Sequence, residues 1–79
     1  MMATLRLFAS AREAAGRRND EFAGSTVGEI LDAAIDRYGA EFEAVLGTCA
    51  IWRNGEPTER NEPVTDSDEV AVLPPVSGG

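Results

Sequence analysis

Leu5 and Leu7 alternate with Thr4 and Arg6, so residues 3–8 read as a half-buried strand that ends where Phe8 and Ala9 break the alternation. Ser10 can cap a one- or two-turn helix over 11–15, which Gly16 can close. Residues 19–23 form a weak strand around Phe22, and Gly24-Ser25 turns the chain. The clearest element follows. Thr26-Val27-Gly28-Glu29 fits a capping box. Val27, Ile30, Leu31, Ala34, Ile35 and Tyr38 then fall on one helical stripe, with Glu29, Asp32, Asp36 and Arg37 off it. Gly39 stands where a left-handed C-cap is wanted. A short turn over 40–46 points Phe42, Val45 and Leu46 inward.

The second half reads as strands. Residues 49–53 form one, and Asn54-Gly55 is a strong two-residue hairpin signal. The return strand, 56–58, is short because Pro57 prefers an edge. Residues 60–62 are loop, and Asp66-Ser67-Asp68 turns the chain into a final apolar strand, 69–73, that Pro74-Pro75 stops. One amphipathic helix must bury its stripe, and the only sheet available is the one these strands make. The expected class is α+β, a mixed sheet with one main helix across one face and with the first and last strands at its centre.

Composition narrows the function. Seventy-nine residues make one small domain, too short for a cofactor cleft with walls of its own, so a self-contained enzyme is not expected. Seven Arg stand against fourteen Asp and Glu, with no Lys and no His, for a net charge of −7. That charge argues against nucleic acid and against an anionic membrane surface. It fits a protein partner with a basic patch, a simply solubilising surface, or adaptation to high salt. The lack of His removes imidazole catalysis and His metal ligands, and a single Cys49 cannot build a disulfide or a thiolate zinc site. Cys49 lies in the apolar run Cys49-Ala50-Ile51-Trp52 and reads as a buried, inert thiol. One unpaired Cys agrees with a reducing compartment. With no signal peptide and no run near the ~20 apolar residues of a membrane span, the expected location is cytoplasmic.

The candidate chemistry sits at the C-terminus, Pro74-Pro75-Val76-Ser77-Gly78-Gly79. Two prolines cannot continue a strand ladder and favour an extended course. With glycine at about 7% of residues, a terminal Gly-Gly arises by chance in roughly one chain in two hundred. Without a Cβ, Gly78 and Gly79 can thread a narrow channel. Gly79 offers an unhindered carboxylate, which is ionised at pH 7 and needs activation by another enzyme, for instance as an acyl-adenylate.

The tail and residues 66–73 before it resemble the C-terminus of molybdopterin synthase small subunits (MoaD in bacteria), ubiquitin-like sulfur carriers of the MoaD/ThiS family. Leu7-Phe8-Ala9-Ser10-Ala11-Arg12-Glu13, Gly16, Thr26-Val27-Gly28-Glu29 and Asn54-Gly55-Glu56 also match, so the resemblance spans the chain. It implies a β-grasp domain over 1–73 and a flexible tail over 74–79. It implies an E1-like enzyme that uses ATP to adenylate Gly79, a C-terminal thiocarboxylate, and a large synthase subunit that accepts the tail. The sulfur then passes to a pterin precursor in molybdenum cofactor biosynthesis. Gly79 is then the reactive end, Gly78 the second channel residue, Pro74, Pro75, Val76 and Ser77 the inserted arm, and Leu73 a partner-facing apolar residue, where an ordinary core leucine is the alternative. The chain itself would be a non-catalytic donor subunit that binds no cofactor and no metal. Two other readings remain: a ubiquitin-like protein modifier joined through Gly79 to target amines, and a sulfur carrier for thiamin or cysteine synthesis.

Overall fold

Eight elements follow the expected order in the computed structural model, which describes residues 2–75. They are β1 (Ala3–Leu7), α1 (Ala9–Ala15), β2 (Asn19–Phe22), α2 (Val27–Tyr38), α3 (Ala40–Leu46), β3 (Ala50–Arg53), β4 (Glu56–Pro57) and β5 (Glu69–Leu73). The strands form one mixed sheet in the order β2-β1-β5-β3-β4. β1 and β5 pair in parallel, with Leu5 opposite Val70 and Leu7 opposite Val72. β3 runs antiparallel to β5, with Ile51 opposite Val72 and Ala50 opposite Leu73. The first and last strands therefore share the interior of the sheet, as their apolar content requires, and the weak strands β2 and β4 take the edges. Pro57, which has no N–H to donate, sits on the edge strand β4. This is the ubiquitin-like β-grasp architecture.

The core forms where the helix stripe meets one face of the sheet. Val27, Ile30, Leu31 and Ala34 of α2 are buried against Ala3, Leu5 and Leu7 of β1 and Val70 and Val72 of β5. Phe22, Phe42, Leu46, Ala11 and Val64 close its margins, and Val45 is half-buried against it. Each fully buried Val, Leu, Ile or Phe side chain among them contributes about 1.5–3 kcal/mol. The start of α2 forms half of the expected capping box, and the Glu29 carboxylate reaches back one residue beyond the N-cap Thr26. Glu29 N–H donates to Thr26 Oγ1 at 3.2 Å, and Glu29 Oε1 accepts from Ser25 N–H at 2.7 Å. The loop before β5 completes the cap, since Val27 N–H reaches Glu62 O and Gly28 N–H reaches Arg60 O at 2.8 Å. Glycine eases that approach, because a Cβ at position 28 would stand 3.1 Å from Arg60 O and the loop would have to give by a few tenths of an ångström.

Three local expectations differ from the structure. α1 begins two residues early, with Phe8 at its N-cap and Ser10 inside the first turn. The Phe8 carbonyl accepts the Ala11 and Arg12 amides, and the chain reverses through Ala9 at φ +50°, so no hydroxyl cap is used. Gly39 has φ +101° but ψ −170°, outside the left-handed helical well, because it ends α2 and starts α3 at once. Cys49 precedes β3 and is half-buried; its thiol donates to Val45 O at 3.2 Å, and burial pushes it above the ordinary thiol range despite the bond to Thr48.

One polar cluster ties the edge strand β2 to α2. Tyr38 closes the helix stripe by packing edge-on against Phe22 and Phe42, and its hydroxyl donates to Asp20 Oδ2 at 2.8 Å. Arg37 donates to the same oxygen at 2.9 Å and lies over the Phe22 ring. Burial raises the Asp20 carboxyl, but bonds from Tyr38, the Glu21 amide and Arg37, with Arg17 nearby, outweigh it and hold it below the usual range. The stabilisation is thus present above the unfolded carboxylate value near 3.9 and is lost as pH falls through the lower folded value. Asp20→Ala should cost about 2 kcal/mol at pH 7, because it strips a half-buried hydroxyl and two guanidinium groups of their acceptor. The gap to the parent should narrow below about pH 4, where the parent loses the same contribution, as urea unfolding at pH 7 and pH 3 would read.

Candidate functional site

β5 lies between β1 and β3, and its last residues carry the chain out of the sheet. Period-two alternation along β5 sends Val70 and Val72 into the core and Glu69, Ala71 and Leu73 to the opposite face. Leu73 is therefore half-buried on the open side of the sheet, opposite Ala50, and outside the helix-packed core. The core-leucine alternative does not hold. Trp52 and Ala71 are paired on neighbouring strands, and Pro57 pairs with Trp52, so the open face carries an apolar band of Leu73, Ala71, Trp52 and Pro57. Trp52 was not singled out in the sequence. The signal was there, since the register that turns Ile51 inward turns Trp52 outward.

Pro74 is half-buried and Pro75 exposed. The candidate residues Val76, Ser77, Gly78 and Gly79 lie outside the described residues.

The start of β5 is staked as firmly as its flanks. Asn54, at the tip of the β3–β4 hairpin, donates to Asp68 Oδ1 at 2.8 Å and accepts the Glu69 amide through Oδ1 at 2.9 Å. Asp68 also accepts the Thr65 amide at 2.8 Å. The Asn54 bond, then the Thr65 amide, hold the Asp68 carboxyl below its ordinary range, with Arg53 adding to the effect. Asn54 has φ +52° and Gly55 φ +85°, the turn that the Asn-Gly pair permits. The hairpin thus fixes where β5 begins, and pairing on both sides fixes where it ends.

A shallow, open depression of about 430 Å³ lies on the helical side. Leu31, Ile35, Leu46 and Ile51 line it, with Asp32 paired to Arg60 at the rim. It lies across the sheet from Leu73 and contains no nucleophile beside a base. Among the described residues no group of three or more His, Cys, Asp or Glu is placed to hold a metal ion, and no helix is long and apolar enough to cross a membrane.

A family model described as the ThiS family matches residues 5–79. The chain is 37% identical over 84 residues to small archaeal modifier protein 1 of Haloferax volcanii, covering 94% of this chain and 97% of that protein. It is 36% identical over 78 residues to the molybdopterin synthase sulfur carrier subunit of Chlamydomonas reinhardtii, covering 91% of this chain and 92% of that one. The crystal structure of SAMP1 from Haloferax volcanii matches all of both chains with a TM-score of 0.88 at 34% identity.

Proposed function

The chain belongs to the ThiS family, and on that premise we propose that it is a sulfur carrier whose C-terminal Gly79 bears the sulfur. The observation that carries this reading is the exit of the chain. The central strand β5 runs without interruption into Pro74-Pro75, and the sequence beyond it ends in Ser77-Gly78-Gly79.

The chemistry needs a partner at each step. An E1-like enzyme uses ATP to convert the Gly79 carboxylate into an acyl-adenylate with release of pyrophosphate. A sulfide equivalent then displaces AMP and leaves the thiocarboxylate. The β-grasp body supplies the surface by which both this enzyme and the acceptor hold the tail, with Leu73 at its root and residues 74–78 as the arm. The relative from Chlamydomonas reinhardtii, named as a subunit of molybdopterin synthase, favours a pterin precursor as acceptor and a large synthase subunit as the second partner. No group of this chain binds ATP or a metal in this scheme.

A second reading rests on the Haloferax volcanii relative, which is named a modifier. Here the same activated Gly79 is joined to an amine of a target protein. With no Lys, this chain cannot extend lysine-linked chains on itself. A thiamin or cysteine pathway acceptor would use the same carboxyl chemistry.

Intact mass spectrometry tests the class. The full chain is incubated with an E1-like enzyme, ATP and sulfide. A gain equal to one oxygen-to-sulfur exchange, located at Gly79 by fragmentation, is the expected result. No gain in the presence of several active E1-like enzymes would overturn the sulfur-carrier reading. Adducts on protein amines without that exchange would favour the modifier. Co-purification with a large synthase subunit would support the pterin branch.

A further inference from the structure

Arg6, Arg12 and Arg18 meet around Leu7 and Phe8 in a recess of about 250 Å³. They come from three separate places: Arg6 from β1, Arg12 from α1, and Arg18 from the turn into β2. The recess is held by backbone bonds. Leu7 N–H donates to Arg18 O at 2.8 Å, and Phe8 O accepts the Ala11 and Arg12 amides. Ala9, beside it, keeps φ +50° without being glycine, a conformation that costs about 1 kcal/mol. Phe8 is 39% exposed, one of two large apolar side chains so placed among the described residues.

The charge of this recess runs against that of the protein. Five of the arginines are matched to carboxylates: Arg17 and Arg37 to Asp20, Arg53 to Asp68, Arg60 to Asp32, and Arg6 to Glu69 at 3.4 Å with both side chains about half exposed. Arg12 and Arg18 have no ion-pair partner among the described residues. In a chain with fourteen acidic and seven basic residues, two unmatched arginines in one recess mark a local positive patch. Its location ties it to the site. β1 and β5 are parallel, with Leu7 level with Val72, so Phe8 and the arginines lie at the end of the sheet where Pro74 and Pro75 leave it. The recess and the root of the tail thus share one end of the sheet.

We propose that the Arg6–Arg12–Arg18 recess docks an acidic segment of the E1-like enzyme that activates the tail, its carboxylates forked by Arg12 and Arg18 and an apolar side chain laid on Phe8. The planar guanidinium forks suit carboxylates, which they can bind with two hydrogen bonds each. The exposed Phe8 asks for an apolar neighbour that a free inorganic anion does not supply. A long polyanion would be repelled by the protein as a whole, whose net charge is −7. The recess therefore sets the angle at which the body sits on its partner, and so the line along which the tail enters. The inference rests on the proposed activation of the tail, but its test does not.

The full chain, labelled with nitrogen-15, is titrated with the blocked peptide Glu-Leu-Glu-Asp-Glu and followed by NMR. The expected shifts centre on the amide of Phe8 and the side chains of Arg12 and Arg18, and they weaken as salt is raised. Arg12→Glu with Arg18→Glu should weaken binding by roughly tenfold or more, while Arg12→Lys with Arg18→Lys retains part of it. The peptide with Gln and Asn in place of its acids should cause no shifts at the recess. The proposal falls if shifts are equal at Arg37 and Arg53, if inorganic phosphate binds as well as the peptide, or if charge reversal leaves binding unchanged. Should no E1-like enzyme load Gly79, the functional reading fails while the titration still decides the recess. Where loading succeeds, the doubly reversed variant should need roughly tenfold more protein for half-maximal loading yet reach the same final yield.

Discussion

A chain that lacks Gly79 should take up no sulfur and yet unfold at the temperature of the complete protein. The first half follows from chemistry. Removing Gly79 leaves Gly78 as the last carboxylate, one residue or up to ~3.6 Å short of the place where an activating enzyme attacks. Displacement on that scale is enough to remove an acyl group from a near-attack position. The second half follows from the core, whose last buried residue among those described is Val72. Changes outside a core stay within about 0.5 kcal/mol, which for a domain of this size is roughly 2–4 °C in Tm. Intact mass after reaction with an E1-like enzyme, ATP and sulfide reads the first effect, and calorimetry reads the second. A truncated chain that still gains sulfur would move the reaction away from the terminus. A truncated chain that unfolds would make Gly79 a structural residue.

The parts of this fold that were legible in the sequence are those whose signal is local. The stripe from Val27 to Tyr38, the Thr26 cap on the Glu29 amide and the Asn54-Gly55 turn each lie within a dozen residues, and each appears as read. The central place of β1 and β5 followed from their apolar content. What was not legible depends on groups brought together from distant positions. Nothing near Ser10 says that the Phe8 carbonyl will start the helix through a turn at Ala9, so the hydroxyl looked like the better cap. Arg12 and Arg18 look like solvated surface residues until the Leu7–Arg18 bond sets them beside Phe8. Asp20 sits in a weak strand, and only its reach across to Tyr38 and Arg37 makes it a tie between sheet and helix. The candidate site divides in the same way. Its glycines and prolines were plain from order alone, whereas the orientation of Leu73 needed the register of β5 against β3.

That orientation leads to the second large effect, the loss of partner binding in Leu73→Asp. Val72 and Leu73 are neighbours in sequence and opposites in space. Val72 is fully buried in the core, and Leu73 faces away from the helices at the root of the tail. A carboxylate at position 73 stays in contact with water in the free protein, so the domain should fold with only a few degrees lost in Tm. In a complex that grips the tail, the band of Leu73, Ala71, Trp52 and Pro57 is the apolar surface nearest the point of exit. A charge at the exit end of this band should weaken binding by about 2 kcal/mol or more, roughly thirtyfold in Kd, measured against the E1-like enzyme and against a large synthase subunit. Val72→Asp is the matched control. There the charge is forced into the core, at a cost of several kcal/mol that a domain this small cannot absorb, and the chain should be unfolded. If Leu73→Asp unfolds as Val72→Asp does, the open face is not the binding face. If it folds and binds as tightly as the parent, the partners hold the protein elsewhere, and the tail root is only a spacer.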